Sequence, residues 1–171
     1  IIGSLTLTGT ASNFAGYIVD VGKNSLLLSL LLTMVACIVL GTGIPTIPNY
    51  IICAAIAGPA LLQLGVPLIV SHMFVFYFGI MADLTPPVAL AALAASPIAG
   101  ASHMKIGWEA TRIAVAGYVV PFMAVYDPAL MLQAGTWLDT IYVVVKAILA
   151  IGLWGAAATG FLMAPIGWPG R

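Results

Sequence analysis

Two glycines and two prolines interrupt the most apolar part of the chain in Leu40-Gly-Thr-Gly-Ile-Pro-Thr-Ile-Pro-Asn-Tyr50. Glycine commonly ends a helix and proline commonly opens one, so this stretch predicts a break between two helices. The apolar run on each side is roughly 16 residues long and would reach only about 24 Å, whereas a bilayer core is about 30 Å thick. Residues 25–65 therefore favour a re-entrant helical hairpin with a Gly/Pro tip. Two ordinary helices joined by a tight turn fit the composition equally well.

A second break follows in residues 66–101, at Asp83-Leu-Thr-Pro-Pro87. The apolar runs before and after it are each too short to cross a membrane, so we interpret the segment as one transmembrane helix broken near its middle. Unwound backbone at that depth is tolerated only where protein or a water-filled cavity supplies hydrogen-bond partners. The break is therefore predicted to be a site rather than a loop.

The composition of the whole chain indicates an integral membrane protein. Of 171 residues, 63% are hydrophobic and 6% are charged, with five basic residues balancing five acidic ones, and the mean hydropathy is +1.17. No charged residue lies between Asn24 and Ala82. These values exclude a soluble enzyme, a nucleic-acid-binding protein and a disordered segment, and they predict an all-α membrane fold.

The remaining segments are predicted from the same pattern of apolar runs. Residues 1–24 are expected to form a truncated N-terminal helix followed by a polar turn from Asp20 to Asn24. Residues 102–140 are expected to form a transmembrane helix with flanking loops, one of them polar from Ser102 to Arg112. Residues 141–171 are expected to contain a C-terminal transmembrane helix. The abrupt start at Ile1 suggests a piece of a longer polypeptide.

The two breaks offer similar chemistry. Thr42, Thr46 and Asn49 lie at the first, and Asp83 and Thr85 lie at the second. Half-helix carbonyl ends with threonine hydroxyls suit Na⁺, whereas amide ends suit a carboxylate, and paired interrupted segments are typical of secondary transporters. Simple kinks with packing roles are the alternative. Asp83 is interpreted as a helix cap or an indirect partner of an ion in preference to a direct ligand, and it lacks the acidic partner of an intramembrane enzyme.

The motifs Gly-x-x-x-Pro-Thr from Gly41 to Thr46 and Thr85-Pro-Pro-Val88, in this order, resemble the large membrane subunit of tripartite ATP-independent periplasmic (TRAP) transporters. Phe74-Val-Phe-Tyr-Phe-Gly-Ile80 and the stretch from Tyr118 to Leu130 add to the resemblance, which covers nearly all of residues 1–132. The chain looks most similar to permeases whose small and large subunits are fused and which work with TAXI-class binding proteins. The resemblance implies an elevator-type fold with two inverted repeats, of which this chain would be the C-terminal one.

The resemblance also implies function, site and partners. It implies Na⁺-coupled uptake of small organic acids delivered by a periplasmic binding protein, with no cofactor beyond Na⁺ as the coupling ion. The implied substrate-binding residues are Gly43, Pro45, Thr46, Asn49, Pro86 and Pro87. The implied Na⁺ residues are Gly41, Thr42, Thr46, Asp83 and Thr85.

The expected partners are the first inverted repeat, the small-subunit helices, the binding protein and the lipid bilayer, with no nucleic acid. The expected location is the bacterial or archaeal cytoplasmic (inner) membrane, as a multi-pass protein. A non-transporting membrane scaffold or assembly subunit, whose breaks are only kinks, is the alternative function.

Overall fold

Helices make up nearly all of the computed structural model, which describes residues 7–133, 135–162 and 164–165. The only β-structure in these ranges is an antiparallel pair of two-residue strands. The helices and strands are α1 (Thr10–Asn24), α2 (Leu26–Leu40), α3 (Thr46–Gln63), α4 (Leu68–Met81), α5 (Leu90–Ala99), α6 (His103–Tyr126), a 3-10 turn (Pro128–Met131), α7 (Trp137–Thr159), β1 (Phe161–Leu162) and β2 (Ala164–Pro165). The prediction of an all-α fold is confirmed for this part of the chain.

The predicted polar turn from Asp20 to Asn24 is wrong, because α1 continues to Asn24. Lys23 donates to Asp20 across one helical turn at 2.8 Å, and both side chains are exposed. Charged residues that point outward from a helix do not oppose its formation. The helix ends at Ser25, whose backbone is extended at φ −161°. The residues predicted to form a polar turn are thus the last helical residues of α1.

Helices α2 and α3 form the two arms around the Gly/Pro stretch. The second arm begins at Thr46, one turn earlier than the apolar run suggests, with Pro45 as its N-cap and Pro48 in its first turn. Proline is compatible with the first turn because the N–H that it lacks has no helical partner there. Gly43 adopts φ +78° in the tip, a conformation that favours glycine.

The predicted broken helix is observed as two helices, α4 and α5, separated by the turns of residues 82–89. Ala89 is the N-cap of α5 and adopts φ +44°. The N–H of Ala91 donates to the carbonyl of Asp83 at 3.0 Å, which ties the start of α5 back to the break. The interruption is therefore a folded structure with its own hydrogen bonds.

The predicted polar loop from Ser102 to Arg112 is also wrong, because α6 is helical from His103. Glu109 and Arg112 lie one turn apart at 3.7 Å and are about half exposed. The Arg112 guanidinium donates to the Ala158 carbonyl in the last turn of α7. A cation at a helix C-terminus satisfies an otherwise unpaired carbonyl and interacts favourably with the helix dipole. Arg112, which the sequence analysis assigned to a loop, therefore joins α6 to α7.

The interior lies between the hairpin, α1, α4 and α6. Phe74 and Phe78 of α4 are fully buried and pack edge-on against each other and against Phe122 of α6.

Two helices, Thr46–Gln63 and Trp137–Thr159, are long and apolar enough to cross a membrane by length and composition. The apolar helices α2, α4 and α5 are shorter than that.

Candidate functional site at the two helix breaks

The hairpin tip and the broken helix meet through a direct side-chain contact. The hydroxyl of Thr46, at the start of α3, donates to Oδ2 of Asp83 at 2.8 Å. Asp83 follows the C-terminus of α4, and both side chains are half-buried. The acidic group therefore lies beside the N-terminus of α3, where a negative charge interacts favourably with the helix dipole.

Asn49 fixes the hairpin arm against the end of α4. Its side chain is fully buried, and its Nδ2 donates to the Gly79 carbonyl at 3.2 Å. Gly79 lies in the last turn of α4, where carbonyls lack helical partners. The Asn49 Oδ1 accepts from Sγ of Cys53 at 3.2 Å. Both ends of the amide are thus bonded within the protein, and its role as a substrate ligand stays a prediction.

Glycine permits this close approach. A Cβ on Gly41 would overlap Nδ2 of Asn49 and lie 2.5 Å from Cβ of Ala82. A Cβ on Gly79 would lie 3.3 Å from the same Asn49 nitrogen. The tip therefore packs on the end of α4 with no room for a larger residue at position 41.

Thr85 lies within the second break, and its hydroxyl bonds to Met81 and Tyr118 instead of to the residues of the tip. Its Oγ1 donates to the Met81 carbonyl at 2.6 Å, and the hydroxyl of Tyr118 lies 2.6 Å from the same oxygen. Tyr118 belongs to α6, which approaches the break closely. A Cβ on Gly107 of this helix would lie 3.2 Å from both Pro86 and Ala89.

The structure brings some predicted site residues together and keeps others apart. Gly41, Thr46, Asn49 and Asp83 lie at the junction between the tip and the end of α4. Thr42 instead shares its hydroxyl hydrogen between the Ile38 and Val39 carbonyls of the preceding helix, α2. The other predicted residues are not part of these contacts: Gly43, Pro45 and Pro87 are exposed, and Pro86 is half-buried.

Asp83 is the acidic group of this junction and forms no ion pair with any residue that the structure describes. The ion pairs of the described ranges join Lys23 to Asp20 and Arg112 to Glu109. The same ranges hold no group of three or more His, Cys, Asp or Glu residues that could bind a metal ion. A cation at the junction would therefore rely on one carboxylate together with neutral oxygens.

The family model described as "Tripartite ATP-independent periplasmic transporter, DctM component" matches residues 1–137. The chain belongs to this family. The match includes the hairpin, the broken helix and α6, and it ends where α7 begins. No curated protein and no solved structure matched the chain.

Membership of the TRAP family makes the chain a membrane component of a transporter. It also confirms the expectation that the chain is not an enzyme. The resemblance of the Gly/Pro and Thr-Pro-Pro motifs to the large TRAP subunit is therefore correct at the level of the family. The breaks that the sequence predicts lie within the matched part of this TRAP component.

The sequence did not single out Tyr118 or the pair of Tyr50 and His72 as site residues. The Tyr50 hydroxyl lies 2.9 Å from Nδ1 of His72. This contact joins α3 to α4 one helical turn after the start of α3. These three side chains carry polar groups within apolar helices of this TRAP component, and such groups need hydrogen-bond partners when they are buried. The sequence therefore indicates that each has a partner, but it does not identify the partner.

Proposed function

We propose that the chain is the C-terminal repeat of a Na⁺-coupled TRAP permease that takes up small organic acids delivered by a periplasmic binding protein. The observation that carries the proposal is the contact between Thr46 and Asp83, which joins two interrupted helices at one point. Interrupted helices that meet in this way are typical of ion and substrate sites in secondary transporters. Asp83 is the one acidic residue between Asn24 and Lys105, and a scaffold would have no functional reason to place it at this junction.

The junction has the chemistry for a monovalent cation. Oδ1 of Asp83 has no hydrogen-bond partner among the residues that the structure describes. Backbone carbonyls at the end of α4 and the Thr46 hydroxyl supply neutral oxygens at the junction, and the Thr85 hydroxyl lies two residues further along the break. We include Gly41 and Thr42 in the proposed Na⁺ site through the end of α2, whose last carbonyls face the tip.

The charge pattern supports coupling between the ion and an acid substrate. No lysine or arginine lies between Asn24 and Lys105, so neither break contains a permanently cationic side chain for a substrate carboxylate. The N-terminus of α3 and a bound Na⁺ would have to balance that charge. Gly43 and Pro45 directly precede this helix and are exposed, so a substrate at the helix end would be within their reach, and Pro87 is exposed in the second break. Each Na⁺ that enters contributes about 2.3 kcal/mol per 100 mV of membrane potential.

The proposal extends to the rest of the transporter. We infer an elevator-type permease in the bacterial or archaeal cytoplasmic membrane, with the hairpin re-entrant and the chain crossing the membrane several times. The first inverted repeat and the small-subunit helices would cover apolar surface that the chain leaves exposed, as on α7 at Ile148, Leu149 and Leu153. The motif resemblance supports a fused, TAXI-associated permease.

Uptake into vesicles tests the proposal. The full permease is reconstituted, and labelled substrate is supplied with the binding protein under an inward Na⁺ gradient. We expect uptake only when both are present, and we expect Thr46→Ala and Thr85→Ala to raise the half-saturating Na⁺ concentration. Thr140→Ala is the control, because that hydroxyl donates to the carbonyl of Thr136, the N-cap of α7, at 3.3 Å. Uptake that is unchanged without Na⁺ would contradict the ion coupling, and a permease with no uptake under any condition would favour the scaffold.

A further inference from the structure

A tyrosine from α6 reaches into the break of the broken helix. The Tyr118 hydroxyl lies 2.6 Å from Oγ1 of Thr85, and these residues are 33 positions apart in the chain. The ring of Tyr118 packs against Phe78 of α4 with centroids 6.1 Å apart. This packing holds the ring in place independently of its hydroxyl.

Tyr118 reaches Thr85 because α6 packs closely against α4 at this point. Gly117 precedes Tyr118, and a Cβ there would lie 3.1 Å from the Tyr77 hydroxyl and 3.4 Å from the Met81 side chain. A larger residue at position 117 would push the helices apart and lengthen the contact between Tyr118 and Thr85.

The direction of the hydrogen bonds follows from proton counting. A threonine hydroxyl has one hydrogen, and Thr85 gives it to the Met81 carbonyl. The hydrogen between Tyr118 and Thr85 must then come from Tyr118. Among the residues that the structure describes, the Thr85 oxygen therefore donates one bond, accepts one bond and keeps one lone pair without a partner.

We propose that Tyr118 is a positioning residue for the coupling ion, acting through Thr85. Tyr118 stops rotation of the Thr85 hydroxyl, so that its remaining lone pair has one direction before the ion arrives. An oxygen that is oriented in advance loses less conformational freedom on binding, and the affinity is correspondingly higher. This inference rests on the proposed Na⁺ coupling and adds a residue outside both breaks to it.

Tyr118→Phe tests the role, because phenylalanine keeps the ring that packs against Phe78 and removes only the hydroxyl. In reconstituted permease with binding protein, we expect the half-saturating Na⁺ concentration to rise about three- to tenfold, the usual effect of one hydrogen bond. The maximal uptake rate at saturating Na⁺ should stay near that of the unmodified permease. Tyr126→Phe is the matched control, since Tyr126 ends the same helix and is 58% exposed.

Substitutions of Thr85 provide the second arm. Thr85→Val should raise the half-saturating concentration at least as much as Tyr118→Phe, whereas Thr85→Ser, which keeps the hydroxyl, should raise it less than Thr85→Val. Adding Tyr118→Phe to Thr85→Val should have no further effect, because Tyr118 acts only through the Thr85 oxygen.

Three results would overturn the proposal. One is a lower maximal rate in Tyr118→Phe with unchanged half-saturating Na⁺, which indicates a purely structural role. Another is an effect of Tyr118→Phe that persists in full when Thr85 is valine. The third is uptake by the unmodified permease that does not depend on Na⁺, which contradicts the coupling itself and is visible before any variant is made. If Tyr118→Phe fails to assemble, Thr85→Ser against Thr85→Val tests the hydroxyl through which Tyr118 acts, and an equal half-saturating Na⁺ concentration in these two variants overturns the proposal.

Discussion

The Thr46 hydroxyl donates a 2.8 Å hydrogen bond to the Asp83 carboxylate across 37 positions of sequence. Thr46 opens the second arm of the hairpin, and Asp83 follows the first half of the broken helix. Motion of the tip away from the end of α4 must break this bond. The bond therefore fixes the position of the tip relative to the end of α4.

Removal of this bond should loosen the tip. We expect Thr46→Val to increase the hydrogen-exchange rate of the amides in residues 41–49 by about fivefold, the effect of losing roughly 1 kcal/mol. Asp83→Asn should have a smaller effect, because the asparagine oxygen still accepts from Thr46. Exchange of the permease in lipid nanodiscs, measured by mass spectrometry, checks both values. Unchanged exchange in Thr46→Val would contradict a closing role for the bond.

Gly41 should not tolerate a side chain. We expect Gly41→Ala to destabilise the permease by about 1–3 kcal/mol, since the new methyl group would overlap Asn49 and Ala82 in a close-packed junction. Gly152→Ala is the control, because a Cβ at that position of α7 meets nothing within 4 Å. Alanine there should be neutral or stabilising by up to about 1 kcal/mol. Thermal unfolding in detergent compares the variants, and equal midpoints would refute the tight packing.

The buried amide of Asn49 should be important for stability. Asn49→Leu keeps the branching of the side chain but leaves the Gly79 carbonyl without its side-chain donor, which should cost about 1–3 kcal/mol. Cys53→Ser keeps a donor to the Asn49 oxygen and should cost less. The same unfolding measurement ranks them. A larger loss in Cys53→Ser than in Asn49→Leu would show that the amide is not what holds α3 to α4.

Arg112 should matter more than its ion pair with Glu109. We expect Arg112→Gln to weaken the packing of α7 on α6, because the Ala158 carbonyl at the end of α7 loses a charged donor. Glu109→Gln should change stability by less than about 1 kcal/mol, because the pair is exposed and 3.7 Å long. Protease accessibility of the segment after α7 reports the effect. Equal sensitivity of the two variants would argue against the helix-end contact.

Local sequence signals predicted the breaks because proline and glycine act within a few residues. Pro45 and Pro48 mark the start of α3, and Pro86 and Pro87 lie between α4 and α5. The same local reasoning failed for Asp20–Asn24 and for Ser102–Arg112, where polar residues were taken to interrupt helices. Apart from Ser102, the N-cap of α6, those residues are helical because their charged groups face outward or bond to a neighbouring helix, as Arg112 does with α7.

The sequence by itself determined that the chain is apolar, helical and interrupted at two places, since composition and the backbone limits of proline and glycine do not depend on distant contacts. The tertiary structure alone decided that Thr46 meets Asp83, that Asn49 reaches Gly79 and that Tyr118 holds Thr85. Each of these bonds joins residues about 30 or more positions apart. Their geometry depends on how closely the helices pack, and no local pattern encodes that distance.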